Sequence, residues 1–258
     1  MTSDLKTRVV DGTLWITFDR PEVRNAMTLA MYDGLAAACS AVPSDGSVKA
    51  VVINGSGGKA FAAGTDMTEF RGFATSEDAL NYEARMAGVM QAVETCAVPT
   101  IAALNGACTG GGAVIAASCD IRLASTTLKF GVPIARTLGN CLSAANLARL
   151  TSLLGAGRVR ELIFTARLMG ADEALAAGLV TEVLADDQVL LERASALAEQ
   201  VGSMAPLTLR ATKEAMRRNR EAAAVEDHDL VTLCYMSSDF KNGLDAFLSG
   251  RKPAWQGR

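Results

Sequence analysis

Three consecutive glycines, Gly110 to Gly112, stand between two apolar runs and constrain this chain more than any other feature. Before them lies Pro99-Thr-Ile-Ala-Ala-Leu104, short enough for a buried strand, and after them Ala113 to Ser118 is small and apolar like a buried helix. The spacing predicts that the glycines mark a turn from strand into helix. With no side chains there, a ligand can approach backbone N–H groups at the positive end of the helix dipole. Such a turn is suited to holding negative charge on an oxygen. A flexible loop, or glycines needed only for close packing of helix on strand, would read the same way, so the choice rests on the other segments.

The 258 residues allow one large domain, or one domain with a small extension, at roughly 100 to 200 residues per domain. Half of them are hydrophobic, which sets the chain apart from disordered compositions and predicts a folded protein throughout. The net charge of -3, with Lys and Arg scattered, argues against a nucleic-acid partner. Any anionic ligand must therefore be met by a few placed cations. The N-terminal segment lacks the apolar core of a signal peptide, and no run approaches the ~20 apolar residues of a membrane span, so the expected compartment is the cytoplasm and no membrane partner is expected. Six cysteines without a C-x-x-C pair suggest neither a disulfide scaffold nor a zinc site. The sole histidine, His228, lies in the acidic run Glu226-Asp-His-Asp229, which excludes a multi-histidine metal centre and reads as a solvated helix end.

Residues 8 to 18 read as two short strands about an Asp11-Gly12 turn. Thr28 is placed as an N-cap for a helix whose Met31, Leu35, Ala38 and Val42 share one face. Ala50 to Asn54 forms a buried strand, residues 77 to 95 a helix, and Asp120 to Ala124 another strand. Strand, turn and helix recur in short units, which predicts an α/β fold. Two motif matches fail: Gly57-Gly58-Lys59 lacks the first Gly and the final Ser or Thr of a phosphate loop, and Ser56 lacks the glycine frame of a nucleophile elbow. Further on, Ala171 to Gly178 is a short helix closed by its glycine, leading into a Leu179-Val180 strand. From Asp187 the chain is helical, with Leu190, Ala194, Leu197, Ala198 and Val201 on one stripe and Pro206 opening the next helix. The organisation expected is a core over residues 1–200 and a helical C-terminal region over 201–258.

Several segments in order resemble the crotonase superfamily, also called the enoyl-CoA hydratase/isomerase family. They are Arg20-Pro-Glu-Val-Arg-Asn-Ala-Met27, Lys59-Ala-Phe-Ala-Ala-Gly-Thr-Asp-Met67, Asn105 to Gly112 with Cys119-Asp120, Phe130-Gly-Val-Pro133, Ala174 to Val180, and Asp239 to Pro253. The resemblance implies a spiral of strand-strand-helix turns, with residues 1–200 as the acyl-CoA-binding core and the C-terminal helices as a trimerisation region. It implies an acyl-CoA thioester as ligand, a homotrimer or hexamer, and no cofactor beyond the coenzyme A moiety of the substrate. By the same resemblance, the main-chain N–H groups of Thr65 and Gly111 hold the thioester oxygen. Arg24 and Lys59 would stand near the nucleotide, Ala26, Ala63, Asp66 and Met67 would line it, and Phe247 would cover it from a neighbouring section or subunit. The lysine usual three residues after that aromatic is Gly250 here, with Arg251 beside it.

One departure bears on the chemistry. Hydratases of this family place and activate water with two glutamates, and the matching positions are Val114 and Ile134. Neither aliphatic side chain can move a proton, which argues against standard hydration. An enolate reaction needing little beyond the oxyanion site, such as acyl-CoA decarboxylation, is favoured. In that reading Arg136 holds a substrate carboxylate, Asn140 orients it or a water, and Cys141 is a candidate nucleophile. Two alternatives stand beside it: a hydratase/isomerase with a relocated acid/base group, and an acyl-CoA binder without catalysis.

Overall fold

The computed structural model describes residues 3–223 and 225–257. A hairpin of β1 (Leu5–Val10) and β2 (Thr13–Phe18) opens the chain, and Asp11 and Gly12 both take positive φ, 48° and 75°, as a two-residue turn of that twist requires. Helix α1 (Leu29–Ser40) follows, with the Thr28 hydroxyl accepting from Met31 N at 3.2 Å as its cap. Three turns of a spiral come next, each laying down two strands and then a helix. The first is β3 (Ala50–Gly55), β4 (Ala60–Ala62) and α2 (Ser76–Glu94). The second is β5 (Thr100–Leu104), β6 (Ala107–Thr109) and α3 (Gly111–Ser118). The third is β7 (Ile121–Ser125), β8 (Lys129–Gly131), the single turn α4 (Ile134–Thr137) and the long α5 (Ala144–Thr165). The chain continues through β9 (Met169–Gly170), α6 (Ala171–Ala176), β10 (Glu182–Leu184), α7 (Asp187–Gly202), α8 (Pro206–Glu221), α9 (His228–Tyr235) and α10 (Ser238–Leu248).

In every spiral turn the first strand joins one sheet and the second joins another. The larger sheet runs β1-β2-β3-β5-β7-β10, parallel from β2 onward, and the smaller runs β4-β6-β8-β9. Burial on both faces explains the continuous apolar runs of the central strands. In β3, Val51 and Ile53 enter the main core between the sheets and helices α1 to α3, while Ala50 and Val52 face the other way. That second face is closed by α7, whose Leu190, Ala194, Leu197 and Ala198 pack on Trp15, Ile101 and Leu123. The period-2 and period-3.6 stripes thus meet as the sequence predicts.

Two sequence expectations are corrected here. The glycine turn does not leave the Pro99–Leu104 strand directly: Gly106, at φ +50°, swings the chain into β6, and β6 feeds α3. A Cβ on Gly106 would fall 2.0 Å from Lys59 O, so only glycine allows this switch between sheets. Leu179 and Val180 are buried yet lie before the strand, which begins at Glu182 once Thr181 N has bonded Arg122 O.

The C-terminal helices fold back on their own chain. Val231 and Tyr235 of α9, with Phe240 and Leu244 of α10, form a third apolar cluster with Phe70, Ala79 and Leu138. Helix α8 buries no residue and leaves Leu207 and Met216 exposed. No helix of the described residues is long and apolar enough to cross a membrane.

Candidate functional site

A cavity of about 560 Å³ opens where the two glycine segments meet. One wall is the chain from Arg24 to Met27 laid against Ala63 to Asp66: Ala63 N donates to Arg24 O at 3.1 Å, Met27 N to Gly64 O at 2.8 Å and Asp66 N to Met27 O at 2.9 Å. Because Gly64 and Asp66 carry that pairing, the Thr65 N–H points to the opposite side. Beside it stands Gly111, the first residue of α3, whose N–H has no carbonyl one turn earlier to bond. A Cβ on Gly110 would lie 3.6 Å from Gly64 Cα, and one on Gly111 would lie 3.5 Å from Thr65 Oγ1. Two main-chain donors and a helix N-terminus therefore converge on one spot. The expected oxyanion residues are brought together where the two loops approach closely, and a Cβ on Gly112 would fall 2.4 Å from Ala62 O.

Hydroxyls surround this spot. Tyr32 Oη shares a hydrogen bond with Thr65 Oγ1 at 2.9 Å, and Thr65 Oγ1 shares another with Tyr82 Oη at 2.8 Å. Burial pushes Tyr32 up to about 12 and raises Tyr82 as well, so both phenols stay neutral. Tyr82 is the end of this chain that lines the cavity.

The remaining sequence candidates divide. Arg24, Ala26, Ala63, Asp66 and Met67 line the cavity at one side, and Phe247 of the chain's own α10 reaches it, half exposed. The Asp66 carboxylate is already engaged, since it accepts from Thr68 N and binds Arg20 at 3.0 Å. Burial alone would raise that group, but the bonds from Thr68 and Arg20 outweigh it and hold Asp66 low. Val114 and Ile134 both line the cavity, so the two positions read as aliphatic replacements do face the site. Asn140 and Cys141 line it too. The hydrogen bond between Cys141 and Cys234, together with burial, pushes the Cys141 thiol up.

Arg136 and Lys59 stand apart from the other candidates. Both are exposed and neither lines the cavity. In the one-turn α4, Ile134, Thr137 and Leu138 face inward, and Arg136, two residues on from Ile134, falls on the far side of the helix. Lys59 lies in the loop just before β4, where the backbone, and not the side chain, is held by Ala107 N.

Sequence reasoning missed a carboxylate. Glu83 lines the cavity from α2, accepts a hydrogen bond from Tyr235 Oη at 2.8 Å, and Tyr235 Oη in turn accepts from Asn140 Nδ2 at 3.1 Å. Burial pushes Glu83 up to about 7, with the bonds from Tyr235 and Ser143 opposing the rise and the charge of Asp227 adding to it. A signal existed: Ala79, Glu83, Met86, Met90 and Val93 fall at i, i+4, i+7, i+11 and i+14, which puts one carboxylate on the buried stripe of an amphipathic helix.

A family model described as enoyl-CoA hydratase/isomerase matches residues 9–258. The short-chain-enoyl-CoA hydratase of Clostridium acetobutylicum is 33% identical over 246 residues, covering 92% of this chain and 91% of that one. A probable enoyl-CoA hydratase of Rhizobium meliloti is 36% identical over 247 residues, covering 94% of each. Among solved structures, a methylmalonyl-CoA decarboxylase in complex with 2-nitronate-propionyl-CoA superposes with a TM-score of 0.89 at 26% identity over the full length of both chains.

Proposed function

The chain belongs to the enoyl-CoA hydratase/isomerase family, and on that premise we propose that it binds an acyl-CoA thioester and converts it through an enolate whose oxygen is held by the N–H groups of Thr65 and Gly111. The carrying observation is the convergence of those two main-chain donors on one wall of an otherwise largely apolar cavity. A preorganised pair of this kind stabilises charge that develops only as the enolate forms, and one such donor is worth about 2.7 to 4 kcal/mol. Coenzyme A would lie along Arg24, Ala26, Ala63 and Met67, with Asp66 shaping that strand through its bonds and Phe247 as cover. The exposed apolar residues of α8 and α9, Leu207, Met216, Leu230 and Leu233, suit self-association of the C-terminal helices.

Standard two-glutamate hydration does not fit this site, because Val114 and Ile134 line it where that pair would act. Arg136, the cation that the decarboxylation reading called on, does not line the cavity. A second reading, isomerisation or water addition through a relocated acid/base, is favoured by one observation, the Glu83 carboxylate in the cavity wall.

The purified protein should be incubated with saturated, unsaturated and carboxylated acyl-CoAs and every thioester followed by mass spectrometry and chromatography. A double-bond shift or gain of water supports the relocated acid/base, and loss of carbon dioxide supports chemistry by the oxyanion site alone. Failure to bind any acyl-CoA would overturn the proposal. Val114→Ala gives a companion prediction. It should cost about 2 kcal/mol of stability by emptying space at a residue 2% exposed, yet leave acyl-CoA affinity near wild type in isothermal titration.

A further inference from the structure

We propose that Glu83 is the acid/base of this site, acting from α2 with Tyr235 and Asn140 behind it, in place of the carboxylates missing from α3 and α4. The inference rests on the acyl-CoA reading above and deepens it. Among the described residues lining the cavity, the acidic ones are Asp66 and Glu83. Asp66 is consumed by Arg20 and Thr68, so it is fixed as a structural anion. Among the described residues Glu83 has no cationic partner and is held by neutral hydroxyls, those of Tyr235 and Ser143. Its neighbour Tyr82 bonds Thr65 Oγ1, which ties the first turns of α2 to the oxyanion segment.

Asn140 supplies an independent sign that something polar belongs here. Its Nδ2 is spent on Tyr235, while its buried Oδ1 has no hydrogen-bond partner among the described residues. A buried acceptor left open in this way is costly unless a ligand or water donates to it. The unsatisfied atom, Tyr235 and Glu83 form one line in the cavity wall.

The chemistry balances without any further reagent. Ionised Glu83 takes a proton from the carbon next to the thioester carbonyl. The C–H electron pair moves into the new C=C bond, and the carbonyl pair moves onto the oxygen facing Thr65 and Gly111. The protonated acid then returns the proton to the same carbon, or to the γ-carbon when the substrate began as the β,γ-alkene, so that the double bond moves and composition is unchanged. A group titrating near 7 is suited to taking and giving a proton at neutral pH. The titratable groups around Glu83 are Tyr82 on α2, Tyr32 on α1, Tyr235 on α9, Asp227 at the start of α9 and Cys141. Helix α3, also packed on α2, presents only apolar or small residues. The charge of Asp227 opposes ionisation of Glu83.

Butanoyl-CoA and but-3-enoyl-CoA in D2O test this with one instrument. Wild type should incorporate deuterium next to the thioester and shift the alkene, with a rate that rises as pH passes about 7. Glu83→Gln, matched in shape, should lower both rates by about 10²- to 10⁴-fold while binding butanoyl-CoA as wild type does. Glu83→Asp should recover part of the rate. Tyr235→Phe removes a bond that favours the charged carboxylate, so the midpoint should move to higher pH. A purely structural Glu83 would not move that midpoint. Exchange unchanged in Glu83→Gln, or no exchange in a wild type that binds the thioester, would overturn this inference and leave the ligand assignment standing. No binding of either thioester by wild type would sink the ligand assignment itself.

Discussion

Gly111→Ala should abolish all but about 1/100 to 1/1000 of thioester turnover, the loss expected when one oxyanion donor is withdrawn. The added Cβ would fall 2.0 Å from Tyr32 Oη, a distance no Cβ tolerates. Tyr32 has nowhere to go: it is fully buried, its ring is rigid, and its hydroxyl is bonded to Thr65. Either α3 retreats, carrying its N–H out of position, or the Tyr32–Thr65–Tyr82 hydroxyl chain breaks and releases the other donor segment. Both routes damage the same spot. The cause can be isolated by a second substitution, because in Tyr32→Phe the nearest atom to that Cβ becomes the ring carbon at 3.2 Å. Tyr32→Phe alone should cost only about 1 kcal/mol of stability, since Thr65 keeps Tyr82 as a partner. In the double variant Tyr32→Phe/Gly111→Ala, turnover should return to within about 10-fold of Tyr32→Phe, a coupling that a double-mutant cycle reads directly. If the double variant is as inactive as Gly111→Ala, the clash is not the cause and the assigned role of the Gly111 N–H needs another test.

Much of this site was legible because the elements around it are periodic. Helices α1, α2 and α7 show their buried stripes in the sequence, and β3 and β5 are apolar on both faces because both faces are covered. The glycines of the two loops were legible as well, since a turn without side chains has few uses. What escaped was decided by tertiary contact. Strand β6 is three residues, Ala107-Cys-Thr109, with no period to read, and it exists because β4 and β8 flank it. Arg136 was expected to face substrate from its place in the chain, but a single helical turn gives it a side that only the packing of α4 determines. Lys59 likewise projects from a loop whose backbone is pinned. Glu83 is the opposite case. Its position on the apolar stripe of α2 is readable in the sequence, whereas the family pattern points to Val114 and Ile134, where the usual carboxylates are absent.

Glu94→Ala should destabilise the fold by about 3 to 5 kcal/mol, the penalty for leaving one partner of a buried ion pair alone. Glu94 is 7% exposed and Arg149 5%. The carboxylate accepts from Arg149 Nε at 2.9 Å, from Arg149 Nη2 at 2.8 Å and from Arg220 Nη2 at 2.7 Å. Without it, the Arg149 guanidinium keeps, among the described residues, one side-chain acceptor, Asn146 Oδ1, at 2.9 Å. Arg220, 21% exposed, can reach water and loses less. Replacing both charges, in Glu94→Met/Arg149→Met, should recover most of the loss, because the buried charge leaves together with its partner. Urea unfolding midpoints of the two variants decide this, and a loss below about 1 kcal/mol in Glu94→Ala would mean that Arg149 finds other partners or water. The pair also bears on the cavity. It joins the end of α2, the helix of Tyr82 and Glu83, to α5 beside Asn146 in the cavity wall, and through Arg220 it ties in α8. Its position in the core sets where α2 lies, so Glu94→Ala should reduce turnover beyond the unfolded fraction, whereas the double Met variant should keep the helices packed and the turnover with them.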